Sequence, residues 1–158
     1  MTVKKCNCPH IDTRDWEGKE FEWENKTFYF VPINLFFHKP MGLHEKVRQL
    51  RKEVVSRNYE FTDFTPILTS WAAFKGRVMA QIQNPQQYDE GIYIFDSGTI
   101  YSTVFQGSAK EFKQAVSDFS SKVELDHGIP PQAVLVWYVH CEQCAKERNN
   151  QAVIFVKT

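Results

Sequence analysis

The sequence lacks an excess of charge of either sign, a long apolar run and a signal peptide. Lys plus Arg and Asp plus Glu each number 19, so no net field favours binding to nucleic acid or to an anionic membrane. No run approaches the roughly 18 apolar residues of a membrane span, and the segment 1–16 has no apolar signal core. We therefore expect a cytoplasmic protein, with neither nucleic acid nor a membrane as its partner.

Two catalytic signatures are also missing from the sequence. It has no glycine loop of the kind that cradles phosphate, and no Ser-His-Asp or Cys-His arrangement with a recognisable local context. The four cysteines, in a chain of 158 residues without a secretion signal, indicate thiols or metal ligands more than a disulfide framework. Sequence motifs therefore leave catalysis open.

Aromatic residues, in contrast, are abundant. The chain holds 13 Phe, 6 Tyr and 4 Trp, which supply material for a core or for an aromatic pocket. A chain of 158 residues has the size of a single domain, which on folding buries roughly two-thirds of the surface exposed when unfolded. We expect one domain over 27–158, with an N-terminal arm over 1–26 laid across it.

Periodicity and turn residues predict the elements of this domain. Apolar residues at helical spacing predict an amphipathic helix from 43 to about 57. A second helix is predicted to begin at the capping box formed by Ser108 and Glu111, and to end at His127-Gly128. Strands are predicted over 27–37, 65–74, 77–83, 92–95, 99–106, 133–140 and 151–157.

These elements repeat in two halves, at about 27–84 and 91–158. Each half contains a strand, a helix and two further strands, in that order. Corresponding residues are similarly spaced: Trp71 follows Phe37 by 34 positions in the first half, and Trp137 follows Phe105 by 32 positions in the second. A duplicated unit with one helix in each half predicts an α+β fold. The expected architecture is an antiparallel sheet made of both halves, with two helices packed on one face and a concave cleft on the other.

The second half resembles a known family. The run Gly98-Thr-Ile-Tyr-Ser-Thr-Val-Phe-Gln-Gly107, and Gly128-Ile-Pro-Pro before a strand containing Tyr138, are similar to the GyrI-like (gyrase-inhibitor-like) effector-binding superfamily. This superfamily includes multidrug-sensing domains of transcription regulators and SOUL-type heme-binding proteins. The order of elements agrees with it over about 130 residues.

The resemblance implies a small, often hydrophobic and cationic ligand, held between aromatic side chains in a cleft between the halves. Members that bind cations carry a Glu two residues before the Tyr of the penultimate strand, where this sequence has Val136. A neutral or planar ligand is therefore as well supported as a cation. The residues expected to line the pocket lie at or near matching strand positions of the two halves: Phe36, Trp71, Tyr101, Trp137 and Tyr138.

The predicted function is a stand-alone, non-catalytic protein that binds an apolar or aromatic small molecule. A small-molecule hydrolase is one alternative, because some relatives in the superfamily hydrolyse strained molecules with a pocket carboxylate. An inhibitor acting on a macromolecular target, as the gyrase inhibitor itself does, is another. In the hydrolase alternative, the acids that could activate water are Glu60, Asp63, Glu90 and Asp96. The sequence does not predict the oligomeric state.

The cysteines form two close pairs near the chain ends. If the arm folds onto the last hairpin, four thiolates could hold a structural zinc ion, with His10 or His140 as a substitute. Free thiols, a disulfide and a redox pair are the alternatives. Heme binding through His140 is less well supported, because the Cys-x-x-Cys-His order is absent. The candidate metal ligands are Cys6, Cys8, Cys141 and Cys144.

Overall fold

Strands and two helices account for most of the chain. The structure of the protein, a computed structural model, describes residues 11–63, 65–83, 85, 89–95, 97–139 and 150–158. A 3₁₀ turn at Thr13–Asp15 comes first. The elements that follow are β1 (Lys19–Trp23), β2 (Lys26–Phe36), β3 (Lys39–Pro40), α1 (Leu43–Ser56), β4 (Leu68–Ser70), β5 (Lys75–Gln81), β6 (Ile92–Phe95), β7 (Gly98–Gly107), α2 (Ala109–His127), β8 (Ala133–Tyr138) and β9 (Asn150–Lys157).

The strands form one antiparallel sheet of nine strands in the described residues. Its order is β1, β7, β9, β8, β4, β5 and β2, and both β3 and β6 pair with β2. The two halves meet where β4 pairs with β8, with Thr69 opposite Val136 and Ser70 opposite Leu135. The predicted α+β class, with a sheet drawn from both halves, is confirmed.

The pairing of β6 differs from what the sequence led us to expect. We expected 92–95 to belong to the second half, but Ile92 pairs with Tyr29 of β2 in the first half. Side-chain packing accounts for this position, because the Phe95 ring lies 5.4 Å from the Phe28 ring and the two belong to one buried cluster. In the sequence repeat β6 belongs to the second half, but in the sheet it pairs with the first half.

Both helices begin near the predicted residues. Ser108 Oγ accepts a hydrogen bond from the backbone N–H of Glu111, and the Glu111 carboxylate accepts one from the backbone N–H of Ser108. Gly128 ends α2 in the left-handed conformation, with φ of 68°. The capping box and the glycine stop of α2 are thus confirmed. The other helix, α1, starts after Gly42 without a side-chain cap.

Both helices pack on the same face of the sheet. Leu50 and Val54 of α1 are fully buried in a cluster with Tyr29 and Val31 of β2. Alternation along a strand places the side chains of neighbouring residues on opposite faces, so Phe28 and Phe30 of β2 point away from α1. The corresponding contacts of α2 are made by Val116 and Val123 with Ile154 and Val156 of β9.

The opposite face of the sheet is covered by the N-terminal arm. The Trp16 ring lies 5.5 Å from the Trp137 ring and 5.7 Å from the Phe155 ring. The Trp23 ring of the edge strand β1 lies 5.3 Å from that of Phe95 in β6, at the other edge. The sheet therefore curls, and the arm fills its concave side with aromatic rings. The cleft that we expected on this face is filled within the described residues.

Polar contacts fix the arm to β7. Ser102 Oγ donates to the carbonyl of Trp16 at 2.7 Å, and the carboxylate of Glu17 accepts from the Thr103 hydroxyl and the Val104 N–H. These bonds satisfy polar groups of β7 beside an aromatic cluster, where an unpaired donor would be costly. The segment 11–23 is thus fixed to the sheet by both aromatic and polar contacts.

Three side chains connect the end of α1 to the segment before β6, and we call them the clasp: Arg57, Tyr59 and Asp89. Tyr59 Oη donates to Asp89 Oδ2 at 2.6 Å, and Arg57 forms an ion pair with the same oxygen at 2.9 Å. The hydrogen bond to Asp89, with burial second, raises the pKa of Tyr59 to about 12. Asp89 Oδ1 accepts from the N–H of Gly91, and the Arg57 guanidinium lies over the Tyr29 ring. The clasp positions the start of β6.

The chain has no membrane-spanning helix in its described part. Neither α1 nor α2 combines the length and the apolar character that crossing a bilayer requires.

Candidate functional site

An open groove of about 300 Å³ lies on the helical face, beside the junction of the two halves. One wall is α2, and the other is built by the turn after β2, the segment after β4 and the strand β8. The groove is thus on the opposite side of the sheet from the cleft that we expected. Its lining residues are His38, Trp71, Lys113, Val116, Ser117, Ser120, Ser121, Glu124 and Val134.

The α2 wall follows from the spacing of its residues. Lys113, Ser117, Ser120 and Glu124 recur every three or four positions, so they share one stripe of the helix. This stripe lies beside the apolar stripe that contains Val116 and packs on the sheet. Because the serine side chains are short, they leave space where larger side chains would close the gap between α2 and the opposite wall.

The opposite wall contains a strained turn. Phe36 pairs with Lys39, so Phe37 and His38 form a two-residue hairpin loop, and both have positive φ, 46° and 73°. Hairpin loops with two positive φ values favour Asn and Gly at these positions. A left-handed conformation costs other residues about 1–2 kcal/mol each. Such strain is concentrated at functional sites, where another requirement selects the side chain.

The turn places His38 against Trp71. The two rings are stacked at a centroid distance of 4.6 Å and an angle of 14°, and Phe112 of α2 meets the Trp71 ring edge-on at 5.4 Å. Burial, with the charge of Lys113 second, lowers the pKa of His38 below its usual value of 6.5. Its Nδ1 is buried and has no hydrogen-bond partner among the described residues. The groove therefore presents a neutral imidazole and an indole at pH 7.

The five predicted pocket residues do not converge on this groove. Trp71 lines it, and Tyr138 lies behind it, 6.0 Å from the Phe112 ring that also contacts Trp71. Burial raises the pKa of Tyr138 to about 12. Tyr101 is also on the helical face, but it stacks on His127 at the other end of α2, with centroids 4.2 Å apart.

The other two predicted residues lie elsewhere. Trp137 is adjacent to Tyr138 in β8 and therefore points to the opposite face, where it packs against Trp16. Phe36 ends β2 and is 61% exposed. The acids Glu60, Asp63 and Glu90 are exposed, and none of these three lines the groove, while Asp96 lies outside the described residues.

Sequence reasoning missed the residues that accompany Trp71 in the groove. His38 lies just beyond the predicted strand 27–37, and only the backbone turn brings it onto Trp71. The polar stripe of α2 could have been predicted from the sequence, because Ser117, Ser120 and Glu124 follow helical spacing next to the apolar stripe. Val136, where the resemblance to the GyrI-like superfamily suggested that a Glu would mark cation binding, is fully buried opposite Thr69 at the junction.

The zinc prediction stays untested. Cys6, Cys8, Cys141 and Cys144 lie outside the described residues, as do His10 and His140. Among the residues that are described, no group of three or more His, Cys, Asp or Glu side chains is placed to hold a metal ion.

Comparison with protein families gives a match over the full length. The family described as "Bacterial hydrolase" matches residues 1–158. The chain belongs to the Bacterial hydrolase family. Comparison with curated proteins finds no match to it. Membership of the GyrI-like superfamily is not confirmed by these findings, so that part of the resemblance stays a prediction.

The fold of this Bacterial hydrolase family member is also found in a solved structure. It is similar to a chain in a structure described as "Cryo-EM structure of EcmrR-DNA complex in EcmrR-RPo", with a TM-score of 0.66 and 10% sequence identity. The match covers 89% of this chain and 56% of that one, so the chain spans little more than half the length of its structural neighbour. At this identity the likeness shows the fold alone.

Proposed function

We propose that the protein binds a small molecule in the groove between α2 and the turn at His38. The observation that carries this proposal is the pair of stacked rings, His38 and Trp71, which form one wall of a cavity of about 300 Å³. Binding sites for small molecules begin at about this volume, and they combine aromatic walls with a few convergent polar groups. Ser117 and Ser120 supply such groups from α2.

The expected ligand has a planar or apolar part. The groove does not require the ligand to be positively charged. Trp71 offers an aromatic ring, which gives a large contact area at a low entropic cost. Glu124 is a carboxylate of the groove wall, but it is exposed, and Lys113 places a positive charge on the same helix. Water screens such exposed charges, so neither sign dominates. The absence of an acid at Val136 agrees with this ligand class.

Replacing Trp71 with Ala should weaken binding by at least about tenfold, since the aromatic wall is lost. The measurement is a calorimetric titration of the purified protein with a panel of planar and hydrophobic dyes. Trp137→Phe is the matched control, because it changes an aromatic ring on the opposite face and should leave affinity unchanged. If no dye binds, or if Trp71→Ala binds every dye as the wild type does, the groove is not the site.

A hydrolase is the second candidate, and the family description together with His38 favours it. A neutral imidazole in the groove wall can accept a proton from water, so that hydroxide attacks an acyl carbon and the leaving group departs with that proton. Catalytic imidazoles are usually oriented by a third group, however, and Nδ1 of His38 has no such partner among the described residues. For this reason we place binding first.

If His38 is a general base, His38→Gln should lower kcat/KM for ester hydrolysis by about a hundredfold or more. Because burial lowers the pKa of His38, the wild-type kcat/KM should fall with decreasing pH, and the midpoint of that fall should lie below 6.5. The measurement is a pH profile with p-nitrophenyl esters, and Lys110→Gln, a change on α2 outside the groove lining, serves as a control. A wild-type rate equal to the uncatalysed rate would reject the hydrolase and leave the binding proposal intact.

A further inference from the structure

Three phenylalanines form an exposed cluster next to the groove. Phe36, Phe37 and Phe74 are 61%, 58% and 57% exposed, and we call them the aromatic apron. The Phe37 ring lies 4.7 Å from that of Phe36 and 5.5 Å from that of Phe74. Scattered apolar residues are normal on a protein surface, but a contiguous apolar patch indicates an interaction site.

The apron and the groove wall are built by the same two turns. The turn after β2 carries Phe37 and His38, and the segment after β4 carries Trp71 and Phe74. Backbone hydrogen bonds join the two, from Leu35 N to the Phe74 carbonyl at 2.8 Å and from His38 N to the Ala73 carbonyl at 3.4 Å. Each turn therefore contributes one ring to the groove wall and at least one ring to the apron.

The strain of the turn supports a role for the apron. Phe37 adopts a left-handed conformation that its side chain disfavours, yet its ring gains little burial in return. Neither the fold nor the local backbone thus requires a phenylalanine at this position. A ligand that covers the ring would supply the missing burial.

We propose that the apron is the apolar half of the ligand site, and that the ligand is an amphipathic small molecule. Its head occupies the groove, with a planar or apolar side against Trp71 and polar groups beside Ser117 and Ser120, and its alkyl or aromatic tail covers the apron. This inference rests on the proposed function, because it uses the same groove. A volume of about 300 Å³ is at the lower end for ligand pockets, so a larger ligand must extend beyond the groove, and the apron is adjacent.

A chain-length series tests the apron separately from the groove. The probes are hexyl, heptyl, octyl and nonyl glucoside below their micelle concentrations, titrated calorimetrically into the full chain. Each added methylene should tighten binding to the wild type by up to about fourfold, since it covers apolar surface of the apron. In the double variant Phe37→Asn/Phe74→Ser, this gain per methylene should largely disappear, and the affinity for hexyl glucoside should fall much less than the affinity for nonyl glucoside.

The variant is designed to preserve the fold. Asn tolerates the left-handed backbone at position 37, so the turn should keep its shape. Leu125→Ser is the matched control, because Leu125 is an exposed apolar residue of α2 outside the groove lining, and it should leave the chain-length dependence as in the wild type. A wild-type affinity that does not depend on chain length would overturn the proposal, as would an unchanged dependence in the double variant.

A measurement of the oligomeric state completes the test. If sedimentation shows a wild-type dimer that dissociates in Phe37→Asn/Phe74→Ser, the apron is covered by a second copy of the chain and the amphipathic ligand is refuted. Failure of this inference is distinguishable from failure of the proposed function. If only this inference fails, the dyes still bind and their affinity still depends on Trp71. If the proposed function fails, the dyes do not bind, or their affinity does not depend on Trp71.

Discussion

The variant Trp137→Ala should lower the free energy of unfolding by about 3–5 kcal/mol, which is the usual cost of removing a buried tryptophan. Trp137 is 6% exposed and lies 5.5 Å from the Trp16 ring in the cluster between the sheet and the arm. Its removal leaves a cavity that the curled sheet cannot easily close, because the arm is hydrogen-bonded to β7. The measurement is urea-induced unfolding followed by circular dichroism.

Trp71→Ala is the informative comparison, since the sequence repeat aligns the two tryptophans while the structure places them on opposite faces of the sheet. Trp71 is half-buried and borders an open groove, so its loss should cost less than half as much stability as that of Trp137. The same variant should lose ligand affinity, as described above. Equal stability losses at the two positions would contradict the division between a packed concave face and an open helical face.

The second large effect is expected for Gly91→Ala. A Cβ atom at this position would lie 2.3 Å from Cε2 of Tyr29 and 2.6 Å from its Cζ. Tyr29 is 2% exposed, and its ring also faces the guanidinium of Arg57, so it cannot move without disturbing the clasp. Overpacking of this kind costs about 1–3 kcal/mol. In thermal unfolding, each kcal/mol should lower Tm by about 2–4 °C.

Gly42→Ala separates this steric effect from backbone strain. Gly42 has a positive φ of 64°, but the nearest atom to an added Cβ is Glu45 Oε2 at 3.9 Å. The expected cost is therefore that of the left-handed conformation alone, about 1–2 kcal/mol. If Gly91→Ala is no more destabilising than Gly42→Ala, Tyr29 is not held as tightly as its contacts indicate.

Local sequence signals predicted the regular elements well. The second helix was located to within a residue because the capping box of Ser108 and Glu111 and the glycine at 128 act over only a few residues. The repeat of strand, helix, strand and strand correctly indicated one sheet shared by both halves. The hairpin of the first half was predicted less exactly, since its turn lies at 71–74, between β4 and β5, and not at 75–76, between the strands predicted over 65–74 and 77–83.

The candidate site was predicted less completely. Strand alternation alone shows that Trp137 and Tyr138 face opposite sides of the sheet, so both could not line one pocket. Of the five aromatic residues, Trp71 lines the groove and Phe36 belongs to the apron, whose role is a proposal. His38 was missed because no periodic pattern marks a turn residue, and its neighbour Trp71 is 33 positions away in the chain.

The sequence by itself determined that two similar halves form an α+β sheet with two helices, because hydrophobic periodicity, capping residues and turn residues act locally. Only the tertiary structure decided which face of that sheet is open. The arm carries Trp16 and Trp23, and burying these rings on the concave side outweighs leaving that side empty. The space that remains lies on the helical face, where the short serines of α2 meet His38 and Trp71. That outcome depends on contacts between distant segments, which no local pattern encodes.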